Sequence, residues 1–134
     1  MNLTKDVKDI LISRGVTSPV YRSICPDGDD VLDDILVLYE YAGLPLNGLD
    51  TSFAGLSLQV VTRATDFDAG LTRAQAVSAM LRDIGNTDKK NQPVVVNNTA
   101  YYQFAALQSP FKLKEDEAGR IYFAQNFRVS AREK

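Results

Sequence analysis

The chain of 134 residues contains no histidine. That absence removes the commonest general base, the commonest metal ligand and the Ser-His and Cys-His nucleophile pairs. There is one cysteine, Cys25, so no intrachain disulfide can form. A lone thiol fits a reducing cytoplasm. With no histidine to activate it and no partner for zinc, Cys25 reads as a buried structural residue. No run approaches the ~20 apolar residues needed to span a bilayer. The N-terminus alternates Lys5, Asp6, Lys8 and Asp9 with apolar residues, so it does not read as a signal peptide, and the sequons at Asn2 and Asn98 read as accidental. Cations are not in excess: 15 Lys and Arg stand against 17 Asp and Glu, a net charge of −2. That balance argues against a general nucleic-acid binder, which needs cations to displace condensed counterions. No P-loop and no G-x-G-x-x-G occur, so nothing here cradles a phosphate.

What is present is the make-up of an ordinary globular domain, 45% hydrophobic and 24% charged, and its length suits one domain over residues 1–134. The charge is unevenly placed. Residues 1–50 hold four cations and nine acids, a net of −5. Residues 51–134 hold the other eleven cations and eight acids, a net of +3. Such polarity suits head-to-tail association of identical subunits.

The stretch "LTKDVKDILISR" (3–14) sets Leu3, Val7, Ile10 and Leu11 at helical spacing, with Asn2 or Thr4 as cap and Gly15 as stop. "SPVYRSIC" (18–25) is a short strand. "PDGDDVLDD" (26–34) carries five aspartates and reads as an exposed loop. Its acids are clustered, not spaced as in an EF-hand, which argues against a metal loop. "DILVLYEYAG" (34–43) reads as a strand buried on both faces. A connection over 44–55 contains the turn signal Asn47-Gly48. "LSLQVVTRA" (56–64) alternates as a strand and ends on Arg63. The helix that follows places Phe67, Leu71, Ala74, Val77, Leu81 and Ile84 at steps of three and four. Thr65 and Asp68 resemble a capping box, and Gly85 ends the helix. Gly70 in its first turns costs up to ~1 kcal/mol against alanine. After a polar loop, 94–111 is β-rich. A turn at Glu117-Ala118-Gly119 leads into a long last strand, and 99–108 and 119–131 are candidates for antiparallel pairing. The fold class is α+β: an antiparallel or mixed sheet with an N-terminal helix and a second amphipathic helix packed on one face.

Few residues invite a chemical role. The aromatics Tyr101, Tyr102, Phe104, Tyr122, Phe123 and Phe127 read as core and cross-strand packing, since a stacking platform for nucleic acid would carry cations on the same face. Lys89-Lys90 is too short for a nucleic-acid patch. Arg63 remains, with three readings: an anion or catalytic clamp, an internal brace paired with Asp66, Asp68 or Glu40, or an interface residue.

Three blocks together resemble the tail terminator and minor capsid (head-tail joining) proteins of long-tailed bacteriophages: the helix Leu3–Arg14 with "ILVLYEYAGLPL", the central "LQVVTRATDFDAGLTRAQAVSAMLRDI", and the closing "YYQFAALQSPFKLKEDEAGRIYFAQNFRV". The resemblance implies a structural virion protein with no enzymatic activity and no cofactor. It implies a homo-oligomeric ring, commonly a hexamer, at the head-proximal end of the tail. Such a ring ends tail-tube polymerisation and meets the major tail tube protein below and head-neck connector proteins above. Assembly in the host cytoplasm and a place in the virion follow. Neck and head-closure proteins are the alternative of similar size. With no metal or catalytic site expected, the candidate residues are interfacial: Arg63, Arg73 and Arg82 meeting Asp27, Asp29, Asp30 and Asp33 of the next subunit. The segments 44–55 and 86–98 are expected to order on assembly. Two other classes compete. A small carboxylate-dependent enzyme built around Arg63 would need a deep pocket with convergent ionisable groups. A peptide-binding module would need an open sheet edge.

Overall fold

The computed structural model describes residues 1–41, 54–85 and 92–134. Residues 44–53 and 86–91, from the two segments expected to order on assembly, lie outside the described residues, as do Asn47-Gly48 and Lys89-Lys90. The order is α1 (Leu3–Ser13), β1 (Val20–Arg22), β2 (Ile35–Tyr41), β3 (Ala54–Ala64), α2 (Phe67–Arg82), β4 (Val94–Val96), β5 (Thr99–Ala106), β6 (Phe111–Glu115) and β7 (Ile121–Glu133). The strands form one sheet in the order β1-β2-β3-β7-β5-β4, with β6 also on β7. β1 runs parallel to β2 and every other pairing is antiparallel, so the sheet is mixed.

β7 is the spine. Along one side it pairs with β3 from Ala54↔Ala131 to Ala64↔Ile121. Along the other, β6 covers its start and β5 its end, as the expected pairing of 99–108 with 119–131 requires. The β-rich stretch 94–111 holds β4, β5 and the first residue of β6. Asn97 and Asn98 both adopt positive φ, 46° and 69°, and make the two-residue turn between β4 and β5.

Both helices lie on one face. Leu3, Val7, Ile10 and Leu11 of α1 meet Val77 and Leu81 of α2 in a core with Leu36, Leu38, Leu58, Val60, Phe127 and Val129. An isolated helix of this length is marginal in water, and burial of each aliphatic side chain supplies about 2 kcal/mol to hold it. The opposite face carries a smaller core of Ile35, Val37, Val61, Tyr122 and Ala124. β2 is therefore buried on both faces at its centre, as its unbroken apolar run implies.

The caps and close contacts refine the expectations. Asn2 caps α1, accepting from Lys5 N. For α2 the cap is Asp66, not Thr65: its carboxylate accepts from Ala69 N at 2.8 Å. Gly70 has a packing role that propensity does not show. A Cβ there would stand 2.7 Å from Ala64 Cβ and 2.9 Å from Phe123, so glycine lets α2 close on the sheet. At Gly85 (φ +86°) a Cβ would meet the Tyr102 carbonyl oxygen at 2.2 Å. Phe67 packs edge-to-face on Phe123 with centroids 5.2 Å apart.

One polar group sits inside the helix-to-sheet contact. Asp6 is 1% exposed. Its carboxyl accepts from the Tyr101 hydroxyl at 2.5 Å and from the Asn97 amide at 2.8 Å. It thus ties α1 to the β4–β5 hairpin. Burial first, and then this bond to Asp6, raises the Tyr101 phenol far above its ordinary value.

Candidate functional site

The acidic loop lies over the second core, on the face away from the helices. It leaves β1 at Ser23, whose φ is 65° and whose N–H donates to Leu38 O at 2.8 Å. Two arginines hold it down. Arg63, at the end of β3 between Ile35 and Tyr122 on its neighbour strands, points into this face and is 1% exposed. Its guanidinium donates to three backbone carbonyls of the loop, each at 2.9 Å: Nε to Asp33, Nη1 to Pro26 and Nη2 to Leu32. Nη1 also approaches Cys25 Sγ at 3.7 Å. Arginine's planar fork spreads its donors over fixed directions, which suits three separated carbonyls better than a lysine ammonium would.

Arg63 is therefore an internal brace. It bonds to its own chain's loop, and its partners are carbonyls rather than Asp66, Asp68 or Glu40. Its guanidinium is buried and its donors face the loop of its own chain. Cys25 is half-buried, not fully buried.

The second arginine, Arg120, carries no signal in the sequence beyond its place after the turn glycine Gly119. It starts the approach to β7 with its side chain 10% exposed. It grips Asp27 with both Nη atoms at 3.0 Å, reaches Asp33 at 3.5 Å and donates from Nε to Asp116 at 2.7 Å. Asp116 also accepts from Tyr122 Oη at 2.9 Å. Hydrogen bonds from the Arg120 side chain, then the Gly28 amide, pull the Asp27 carboxyl from 3.8 down to about 2. At Asp116 burial raises the pKa, but bonds from Arg120 and Tyr122 outweigh it, and the net shift is downward. Arg120 is raised in return, by Asp27 first.

These shifts fix a pH dependence. Both carboxyls are depressed in the folded chain, so their contribution is complete above the ordinary carboxylate value of 3.8. The Asp27 part is lost as pH falls through about 2, and the Asp116 part as pH falls below the ordinary carboxylate value. The urea midpoint of the wild type is expected to drop across that window, and Asp27→Asn to flatten the drop. An acid limb unchanged in Asp27→Asn would show that the clasp does not report on folding.

The other expected residues separate. Arg73, on α2, stands 3.9 Å from Asp34, which also accepts from Thr65 N at 3.1 Å. Arg73 therefore faces its own loop too. Arg82 lies on the helix face, where its Nε donates to Ser78 Oγ at 3.1 Å. It lines a groove of about 680 Å³ between α2 and the β5–β6 corner. Asp29 and Asp30 stand exposed at the tip of the loop. Leu32, two residues after Asp30, is 64% exposed, and Ile24, ahead of the loop, is 69% exposed. Among the described residues no group of three His, Cys, Asp or Glu could hold a metal ion, and no helix is long and apolar enough to cross a membrane.

Comparison with known proteins places this fold. A family profile described as bacteriophage tail terminator protein matches residues 5–133. No curated protein matches the chain. Among solved structures, a chain of the virion of a native gene transfer agent particle is similar at 19% identity with a TM-score of 0.60, over 96% of this chain and 94% of that one. At that identity the likeness shows the fold alone.

Proposed function

We propose, from the premise that this chain belongs to the bacteriophage tail terminator protein family, that it forms a ring on the head-proximal end of the tail. A structural role in the phage tail follows from the family itself. The finer reading is that the ring, a hexamer of single-domain subunits, ends polymerisation of the tail tube. It would then join the tail to the neck, without enzymatic activity or cofactor. The match over residues 5–133 carries the reading, because it spans α1 through β7 and not a shared fragment. That the similar solved chain belongs to a virion particle agrees with a virion location. Its partners would be further copies of itself, the major tail tube protein and the neck connectors, with assembly in the host cytoplasm.

Among the acids the interface candidates narrow to the loop tip, Asp29 and Asp30, since Asp27 and Asp33 are held by Arg120 within the chain. Electron microscopy of particles made without this protein tests the reading. Tails of uncontrolled length that do not join heads are the expected result. Tails of normal length left unattached would overturn tube termination and point to a neck protein.

A further inference from the structure

The register of the sheet sets its two outermost strands at one level. Val20 of β1 lies beside Leu36, Leu36 beside Thr62, Thr62 beside Phe123, and Phe123 beside Lys112 of β6. The next row runs Tyr21, Val37, Val61, Ala124 and Phe111. At this level the sheet is β1-β2-β3-β7-β6. Among the described residues no strand pairs with the outer side of β1 or of β6. β2 and β7 both run antiparallel to β3, β1 is parallel to β2, and β6 is antiparallel to β7. The two open edges therefore run in opposite directions.

Their chemistry also differs. All five residues of β6 are exposed, Phe111 and Leu113 included. An open edge with apolar side chains is a template for another strand. β6 restricts what it accepts. It is short, it carries Lys112 and Lys114, and its register shifts between them, devices that keep an edge from pairing indiscriminately. Antiparallel pairing with its own copy about Leu113 sets Lys112 opposite Lys114, and like charges placed so repel. The β1 edge is the better match. Residues 20–34, β1 with the acidic loop, hold Arg22 and five aspartates, a net of −4, whereas residues 111–115 hold two lysines and Glu115, a net of +1. Tyr21 is half-buried against the second core, and Ile24 just beyond β1 is exposed.

We infer that β6 of one copy pairs antiparallel with β1 of the next, so that the sheet runs on from copy to copy with Phe111 opposite Tyr21. This rests on the ring reading and names its mating edges. Each copy uses two different edges, the head-to-tail geometry that closes into a ring or runs on as a filament. Because the two edges share a row, the join needs no step along the strands, which favours a closed ring over a climbing filament.

Sedimentation velocity on the full chain, alone and with purified tail tubes, tests it at low and high salt. Wild type is expected to associate, less so at high salt. Phe111→Lys and Tyr21→Glu should each weaken association by about tenfold, and the two in one chain should restore it through an opposite-charge pair across the strands. Circular dichroism checks that each variant is folded. Amide exchange over residues 20–22 and 111–115 should slow on association, as new backbone hydrogen bonds require. With Cys25→Ser as background, Phe111→Cys with Tyr21→Cys should form disulfide-linked ladders under mild oxidation. Single variants that associate like wild type, a double variant that stays weak, unchanged exchange, or no ladder would overturn this pairing and leave the ring reading standing. Dimers from Phe111→Cys alone, without ladders from the pair, would show β6 on β6 and overturn it too. Wild type that stays monomeric both alone and with tail tubes would overturn both.

Discussion

Replacing Arg63 with alanine lowers the unfolding free energy by about 4 kcal/mol in urea titration at neutral pH. The side chain is buried and donates to three carbonyls at 2.9 Å. Bonds from a charged donor are worth ~1.5–3 kcal/mol each, so a rigid site would lose more than the stated total. The loop is exposed on its outer side, however, and its freed carbonyls regain water as it lifts. That relaxation discounts the sum. Arg63→Lys should recover about half, because an ammonium is a point donor that cannot span the three acceptors. A loss below about 1 kcal/mol in both variants would show that the loop holds itself and that Arg63 is no brace.

Periodicity is why much of this architecture is legible in the sequence. The stripe Leu3, Val7, Ile10 and Leu11 fixes α1 and its buried face. The run Ile35–Leu38 marks a strand with a core on each side. The alternation in β3 puts Arg63 on the face opposite Leu58 and Val60, and that placement is found. Its partners were not legible, because carbonyls have no letter in a sequence. The carboxylates within reach in the sequence are Asp66, Asp68 and Glu40, while the acceptors lie some thirty residues upstream in the loop. Arg120 was missed for the reverse reason: its partners are carboxylates, but the residue carries no pattern of its own. Its distance of four residues from Asp116, across a glycine turn, is the one available hint. The division of 94–111 hinges on Asn97-Asn98, a pair that tolerates left-handed backbone better than most. A polar pair inside a β-rich run was the sign of that turn. The separation of Arg73 from Arg82 needs the fold: both lie on α2, but Arg73 stands near Asp34 of the loop while Arg82 lines the groove beside the β5–β6 corner.

The same limit explains Asp6, and it leads to the second large effect. Asp6 falls three residues after Leu3 and four before Ile10, on the buried side of α1. Spacing alone places it in the core, although its chemistry suggests solvent. The structure resolves the conflict by giving its carboxyl two donors, Tyr101 Oη and Asn97 Nδ2. Asp6→Ala should cost about 3 kcal/mol of stability, most of it from a phenol left buried without an acceptor. Tyr101→Phe removes that orphan, so the double variant should be less destabilised than the sum of the single ones by about 1 kcal/mol. Urea titration of the four proteins in the cycle measures that coupling. Additive losses would mean that the Tyr101 hydroxyl finds another acceptor and that Asp6 acts through Asn97 alone. The distinction fixes what α1 supports. Asn97 turns β4 into β5, and Tyr101 lies near the start of β5. A coupling of the expected size makes α1 a support for that end of β5.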